Sequence, residues 1–148
     1  MMEQEIRQLA ATFGIALKGP LRFNELGLDY QVIFAEDENG QKWVLRKPRR
    51  ADLAGQIQHE ARVLQFLRPY LNFQIPDWKA ASAELIAYPL LKDPPALLVD
   101  TTTYDLTWNI EVGSESFTRS FAKAVFQLHQ IPTDLALSAG LDRKSTRL

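Results

Sequence analysis

Apolar positions follow two rhythms along this chain. Over residues 3–13, Ile6, Leu9, Ala10 and Phe13 recur every three or four positions, which is one face of a helix, and Gly14 follows as a C-cap. In DYQVIFAED the period shortens to two, with Tyr30, Val32 and Phe34 on one side and Gln31, Ile33 and Ala35 on the other. Asn39-Gly40 is a strong hairpin signal. QKWVLRK then returns as a strand until Pro48, which has no N–H to give to a ladder. Residues 28–47 are therefore predicted to form a β-hairpin.

Asp52 is a candidate N-cap for a helix through Leu67, with Pro69 helping to end it. QIPDWKAA and AELIAYPLL read as two more strands, DPPALLVD as a proline-rich linker, and TYDLTWNIEVG as a hairpin or loop. From Ser114 a second long helix places Phe117, Phe121, Val125 and Leu128 on one face, with Pro132 after its end. The order is helix, hairpin, helix, two strands, linker, helix. This predicts an α+β fold, an antiparallel sheet with a packed helix. The last helix has little left to pack against, so its apolar face is expected to be exposed and to favour self-association.

Composition narrows the function classes. The chain has 148 residues, 46% hydrophobic and 24% charged, which suits one ordinary globular domain. A net charge of -1 gives no basic field toward nucleic acid. There is no cysteine and there are only two histidines, His59 and His129, which argues against disulfides and an ordinary zinc site. The N-terminus, MMEQEIRQLA, is acidic and amphipathic, and no apolar run reaches the roughly 18 residues of a membrane span. A cytoplasmic protein is expected.

Chemistry concentrates around one carboxylate. In the 52–67 helix, Ile57, Ala61, Leu64 and Leu67 form the apolar stripe, and Glu60 falls inside it. A carboxylate on an inward face is costly unless it is paired. The returning strand offers Arg46 or Lys47, on opposite faces, so only one of them can meet Glu60. A strand cation followed by a helix glutamate is how kinases hold a phosphate-binding cation, and it is equally a plain clamp between helix and sheet. Gly27, in NELGLDY, allows close backbone approach to a ligand or merely makes a turn. Asp29 reads as a surface turn residue, and Lys47, Arg49 and Arg50 as a solvated turn.

The segments GLDYQVIFAEDENGQKWVLRKPRR, HEARVLQFLRPYLNFQIPDW and ELIAYPLLKDPP, with FAKAVFQLHQIP further on, resemble the N-terminal part of the macrolide 2'-phosphotransferases. These belong to the aminoglycoside-phosphotransferase, kinase-like superfamily. The resemblance implies a kinase-like N-lobe over 1–91, a hinge and linker over 92–113, and the start of a C-lobe over 114–142. It implies transfer of a phosphoryl group from GTP or ATP, with Mg2+, to a macrolide hydroxyl, which inactivates the antibiotic. By position, Arg46 takes the place of the phosphate-binding strand lysine and Glu60 that of its partner. Gly27, Leu28, Asp29 and Tyr30 form the loop over the nucleotide, Val44 lies over the base, and Tyr88, Leu90 and Leu91 belong to the hinge.

The His-x-Asp loop of that superfamily has no counterpart here. His129 is followed by Gln, Ile and Pro, and the only later aspartates are Asp134 and Asp142. No catalytic residue and no Mg2+ ligand is therefore assigned, and the chain alone is expected to be inactive. The run RKSTRL within 143–148 reads as a non-native tail. The alternatives are a non-catalytic α+β binding module, or part of a small-molecule kinase with another acceptor.

Overall fold

The two rhythms become two kinds of element in the computed structural model, which describes residues 2–141. Helix α1 spans Met2–Thr12 and α2 Ala54–Leu67. Strands β1 (Leu17–Asn24), β2 (Tyr30–Asp37), β3 (Lys42–Pro48), β4 (Ala80–Ala81) and β5 (Ile86–Pro89) make one sheet in the order β1-β2-β3-β5-β4, every pairing antiparallel.

Register explains which side chains meet. Phe23, Ile33, Leu45, Ala87 and Ala80 lie opposite one another across the five strands. Ile33, Leu45 and Ala87 are fully buried there, beneath Ile6 and Ala10 of α1. Burying a side chain such as Ile6 stabilises by about 1.5–3 kcal/mol. Neighbouring residues point to the opposite face, which carries Tyr30, Ile86 and Tyr88 against Leu53 and Ile57 of the α2 region. The sheet is thus a central layer with a helix on each side.

The predicted hairpin is present. Its turn is fixed by the Asp37 carboxylate, which accepts from the backbone N–H of Asn39 (2.9 Å) and Gln41 (3.0 Å) and from Trp43 Nε1 (2.9 Å). These donors hold Asp37 below the usual carboxylate range, the Trp43 indole contributing most. Gly40 sits at φ 81° and Gly14 at φ 77°, both in the left-handed region that favours glycine.

Four expectations need correction. Strand β1 was not anticipated: Gly19-Pro20 interrupts its alternation, and the register with β2 shifts between Lys18 and Arg22. Asp52 does not cap α2. A 3-10 turn over Ala51–Leu53 runs into the helix with Leu53 at the N-cap in helical conformation, whereas side-chain capping needs an extended N-cap residue. The Asp52 carboxylate instead accepts from Arg50 Nε at 3.1 Å. The stretch after residue 92 is more than a linker: β6 (Leu97–Val99) pairs with β7 (Leu106–Trp108) in a separate two-stranded sheet. A short helix α4 (Thr133–Ser138) follows α3 (Glu115–His129), whose predicted start at Ser114 is seen as an N-cap accepting from Phe117 N at 3.4 Å. The expected tail, 143–148, lies outside the described residues.

Candidate functional site

The site is built on the sheet face turned toward α2. Val32, Arg46 and Ile86 are direct partners across β2, β3 and β5, and the next row is Arg22, Phe34, Val44 and Tyr88. Direct partners share a face. The period-2 pattern of β3 therefore places Arg46 beside Val44, and Lys47 on the other side.

Arg46 Nη1 lies 3.1 Å from Glu60 Oε1. The guanidinium carbon sits 4.1 Å from the centre of the Tyr30 ring and 5.6 Å from that of Trp78. A planar cation between aromatic rings gains cation–π attraction as well as the ion pair. Glu60 is the only hydrogen-bond acceptor of the Arg46 side chain among the described residues, so other guanidinium N–H groups stay available. Burial pushes the Tyr30 and Tyr88 phenols up, so both are neutral donors at physiological pH. The Tyr30 hydroxyl and Trp78 Nε1 are buried without a partner among the described residues.

The 25–29 turn between β1 and β2 rises at one end of this face. A Cβ at Gly27 would lie 2.5 Å from the Tyr30 carbonyl oxygen, so only glycine fits there. Leu28 at the tip is 91% exposed. Asp29, read above as a surface turn residue, pairs with Arg50 at 3.1 Å. Lys47, Arg49 and Arg50 are not merely solvated either. Lys47 pairs with Glu5 of α1 and Arg49 with Glu25, while Arg50 meets both Asp29 and Asp52. The three cations of one strand end are shared out among four carboxylates.

At the other end, Leu90 N donates to Lys42 O at 2.9 Å and prolongs the β3–β5 ladder by one step. Leu91, next along, has no hydrogen-bond partner for its backbone groups among the described residues. An open depression of 510 Å3 lies between Arg22, Phe34, Lys42 and Leu90. Tyr30, Val44, Arg46, Glu60 and Tyr88 thus gather on one face, with Gly27–Asp29 and Leu90–Leu91 at its two ends. Three neighbours were not assigned to the site from sequence. Phe34 shares the period-2 face of Tyr30 and was recoverable from it. Arg22 belongs to the unforeseen β1. Trp78 lies in QIPDWKAA, which reads as a strand, but only Ala80–Ala81 of it forms one, so no strand phase signals Trp78.

The geometry offers a cation with spare donors, a glycine-tipped turn and a strand end with free backbone groups. Among the described residues, no group of three or more His, Cys, Asp or Glu side chains is placed to hold a metal. Residues 20–147 match the family described as phosphotransferase enzymes. The chain belongs to the phosphotransferase enzyme family. A macrolide 2'-phosphotransferase of type I is 43% identical with a TM-score of 0.84, and the apoenzyme of a macrolide 2'-phosphotransferase from Brachybacterium faecium is 39% identical with a TM-score of 0.87. Each alignment covers 93% of this chain and 46% of the other protein. Protein YcbJ of Bacillus subtilis (strain 168) is 38% identical over 141 residues, again 93% of this chain and 46% of the relative. The chain therefore spans about half the length of these relatives. Its antiparallel sheet with packed helices is the kinase-like N-lobe fold of the macrolide phosphotransferases. In this phosphotransferase chain, no described helix is long and apolar enough to cross a membrane.

Proposed function

We propose that this chain is the nucleotide-binding part of a macrolide phosphotransferase, a cytoplasmic enzyme that inactivates macrolide antibiotics by moving the γ-phosphate of GTP or ATP to a sugar hydroxyl. The observation that carries the reading is Arg46, paired to Glu60 and stacked on Tyr30, with donors left over on the sheet face that faces α2. A bound nucleotide would supply the transferable phosphoryl group. Arg46 would hold its phosphates, the Gly27–Tyr30 loop would cover them, Val44 would lie against the base, and Tyr88, Leu90 and Leu91 would line its edge. An arginine stays charged at every working pH and offers bidentate geometry to phosphate.

The residues present suit phosphates, and no residue of this chain is assigned to hold Mg2+. No His-x-Asp sequence occurs in the 148 residues, and the isolated chain is expected to transfer no phosphate. Transfer to a macrolide by the purified chain would sink that expectation. The exposed apolar face of α3 favours self-association.

The deciding experiment is thermal unfolding with and without GTP and ATP. A ligand bound only to the folded state at 100 times its Kd stabilises by about 2.7 kcal/mol. Stabilisation by either nucleotide, lost in Arg46→Ala, is the expected result. No stabilisation by either nucleotide would favour the other reading, in which the Arg46–Glu60 pair simply ties β3 to α2.

A further inference from the structure

The turn over residues 25–29 is held from one side by a single residue. Arg49 takes three of its carbonyls: the Arg49 backbone N–H donates to Asp29 O (2.9 Å), Nε to Gly27 O (3.1 Å) and Nη2 to Glu25 O (3.4 Å). The same guanidinium pairs with the Glu25 carboxylate, which also accepts from the Gln31 amide. Gln31 and Arg49 together hold the Glu25 carboxyl below the usual carboxylate range. Beside it, Arg50 Nη1 lies 3.1 Å from the Asp29 carboxylate. Both acidic side chains of the turn are therefore paired with cations from the segment following β3.

The backbone consequence follows from planarity. No described peptide bond is cis, and in a trans peptide the N–H points opposite to the carbonyl of the same unit. With Gly27 C=O turned toward Arg49, the Leu28 N–H must point away from Arg49. The N–H groups of Gly27, Leu28 and Asp29 have no acceptor among the described residues, whereas that of Leu26 is satisfied by Asn24 Oδ1 at 3.0 Å. The turn is thus anchored through its carbonyls and leaves the donors of Gly27, Leu28 and Asp29 unused, that of Leu28 turned away from Arg49, an arrangement suited to an anion.

We propose that Arg49 is a positioning residue: it holds the 25–29 turn carbonyl-side down so that its free N–H groups face a polyphosphate, and with Arg50 it neutralises Glu25 and Asp29, which would otherwise repel that polyphosphate. This rests on the nucleotide reading above and deepens it. Arg49 touches no phosphate itself and acts only through the turn.

The test is calorimetric binding of guanosine, GDP and GTP, with ATP in parallel, to the chain and its variants. Arg49→Ala should weaken GTP binding about tenfold or more, since a charge-assisted contact and the turn's orientation are both lost. Guanosine binding should stay within about twofold, because the turn lies away from the base. Arg49→Lys, which keeps the charge and the backbone N–H but cannot reach both the Glu25 and Gly27 carbonyls, should fall between. Adding Glu25→Gln to Arg49→Ala should recover part of the GTP loss by removing the stranded carboxylate. Equal weakening of guanosine and GTP would mean a general structural role and overturn the proposal, as would an unchanged GTP affinity in Arg49→Ala. An unsubstituted chain that binds none of the four ligands would defeat the nucleotide reading itself, and the proposal with it. The unliganded unfolding midpoint of each variant separates loss of fold from loss of positioning.

Discussion

Helix α1 is 11 residues long and buries Ile6 and Ala10 completely, whereas α3 is 15 residues long, at least as amphipathic, and has no fully buried residue. The contrast extends to whole regions. Among the described residues, every buried one lies at or before Ala87, and none of β6, β7, α3 or α4 contains one. Beyond that point Trp108, Phe121 and Phe126 are each more than half exposed. Apolar patterning only prepares a face for burial. Burial also requires a complementary surface, and the sheet has two faces, already taken by α1 and by the α2 region. One link from α3 back to the first region is polar, between Gln127 and Asn72.

The comparison is broken most severely by truncating the sheet core. Leu45→Ala, fully buried between β2 and β5, should cost about 2–5 kcal/mol in denaturant unfolding. A loss below about 1 kcal/mol there would mean that the first region is no better packed than the second.

Next in size is the pair that faces the candidate site. Glu60→Ala strands Arg46, whose side chain is only 20% exposed, and should cost about 1–3 kcal/mol; it should also weaken nucleotide-dependent stabilisation. Arg46→Ala should remove that stabilisation while costing less fold stability per unit of lost binding, because no buried carboxylate is left fully enclosed. If the two variants lose binding and stability in the same proportion, the pair is a structural clamp.

A pH titration sharpens the same division. Asp37 has its folded-state pKa depressed below the unfolded value. Its contribution is therefore complete above the ordinary carboxylate range and is lost as pH falls through the folded value. The unfolding midpoint should fall on acidification over that window, and Asp37→Asn should flatten the acid limb. An unaltered limb would show that the Trp43 and turn hydrogen bonds do not set the acid response.

The smallest effect is expected in the second region. Phe121→Ala, 62% exposed, should change stability by no more than about 0.5 kcal/mol, yet reduce concentration-dependent self-association in sedimentation. A core-sized loss of stability would show that α3 is packed in solution after all.

Much of the site was legible because strand phase is local. The alternation around Tyr30 and the stop at Pro48 fixed the hairpin, and the phase of β3 put Arg46 on the Val44 face, where it meets an inward Glu60. Strand β1 was hidden because Gly19-Pro20 breaks its alternation at the point where the ladder shifts register. The β6–β7 hairpin was hidden behind Pro94 and Pro95, which open the stretch as a linker would. The pairing only shows in three dimensions, where Asn109 N donates to Ala96 O at 2.8 Å and closes it.

By itself the sequence determined which side of each strand and helix is apolar, and with it that Arg46 and not Lys47 shares a face with Val44, because side-chain direction repeats within a few residues. The tertiary structure decided where the other cations go. Lys47 reaches Glu5 and Arg49 reaches Glu25 and the Gly27 carbonyl, across 42 and 24 positions of chain. Those partners become neighbours only when α1 lies on one sheet face and the β1–β2 turn folds over the end of β3. Charge pairing depends on distances in space, and no local period encodes them.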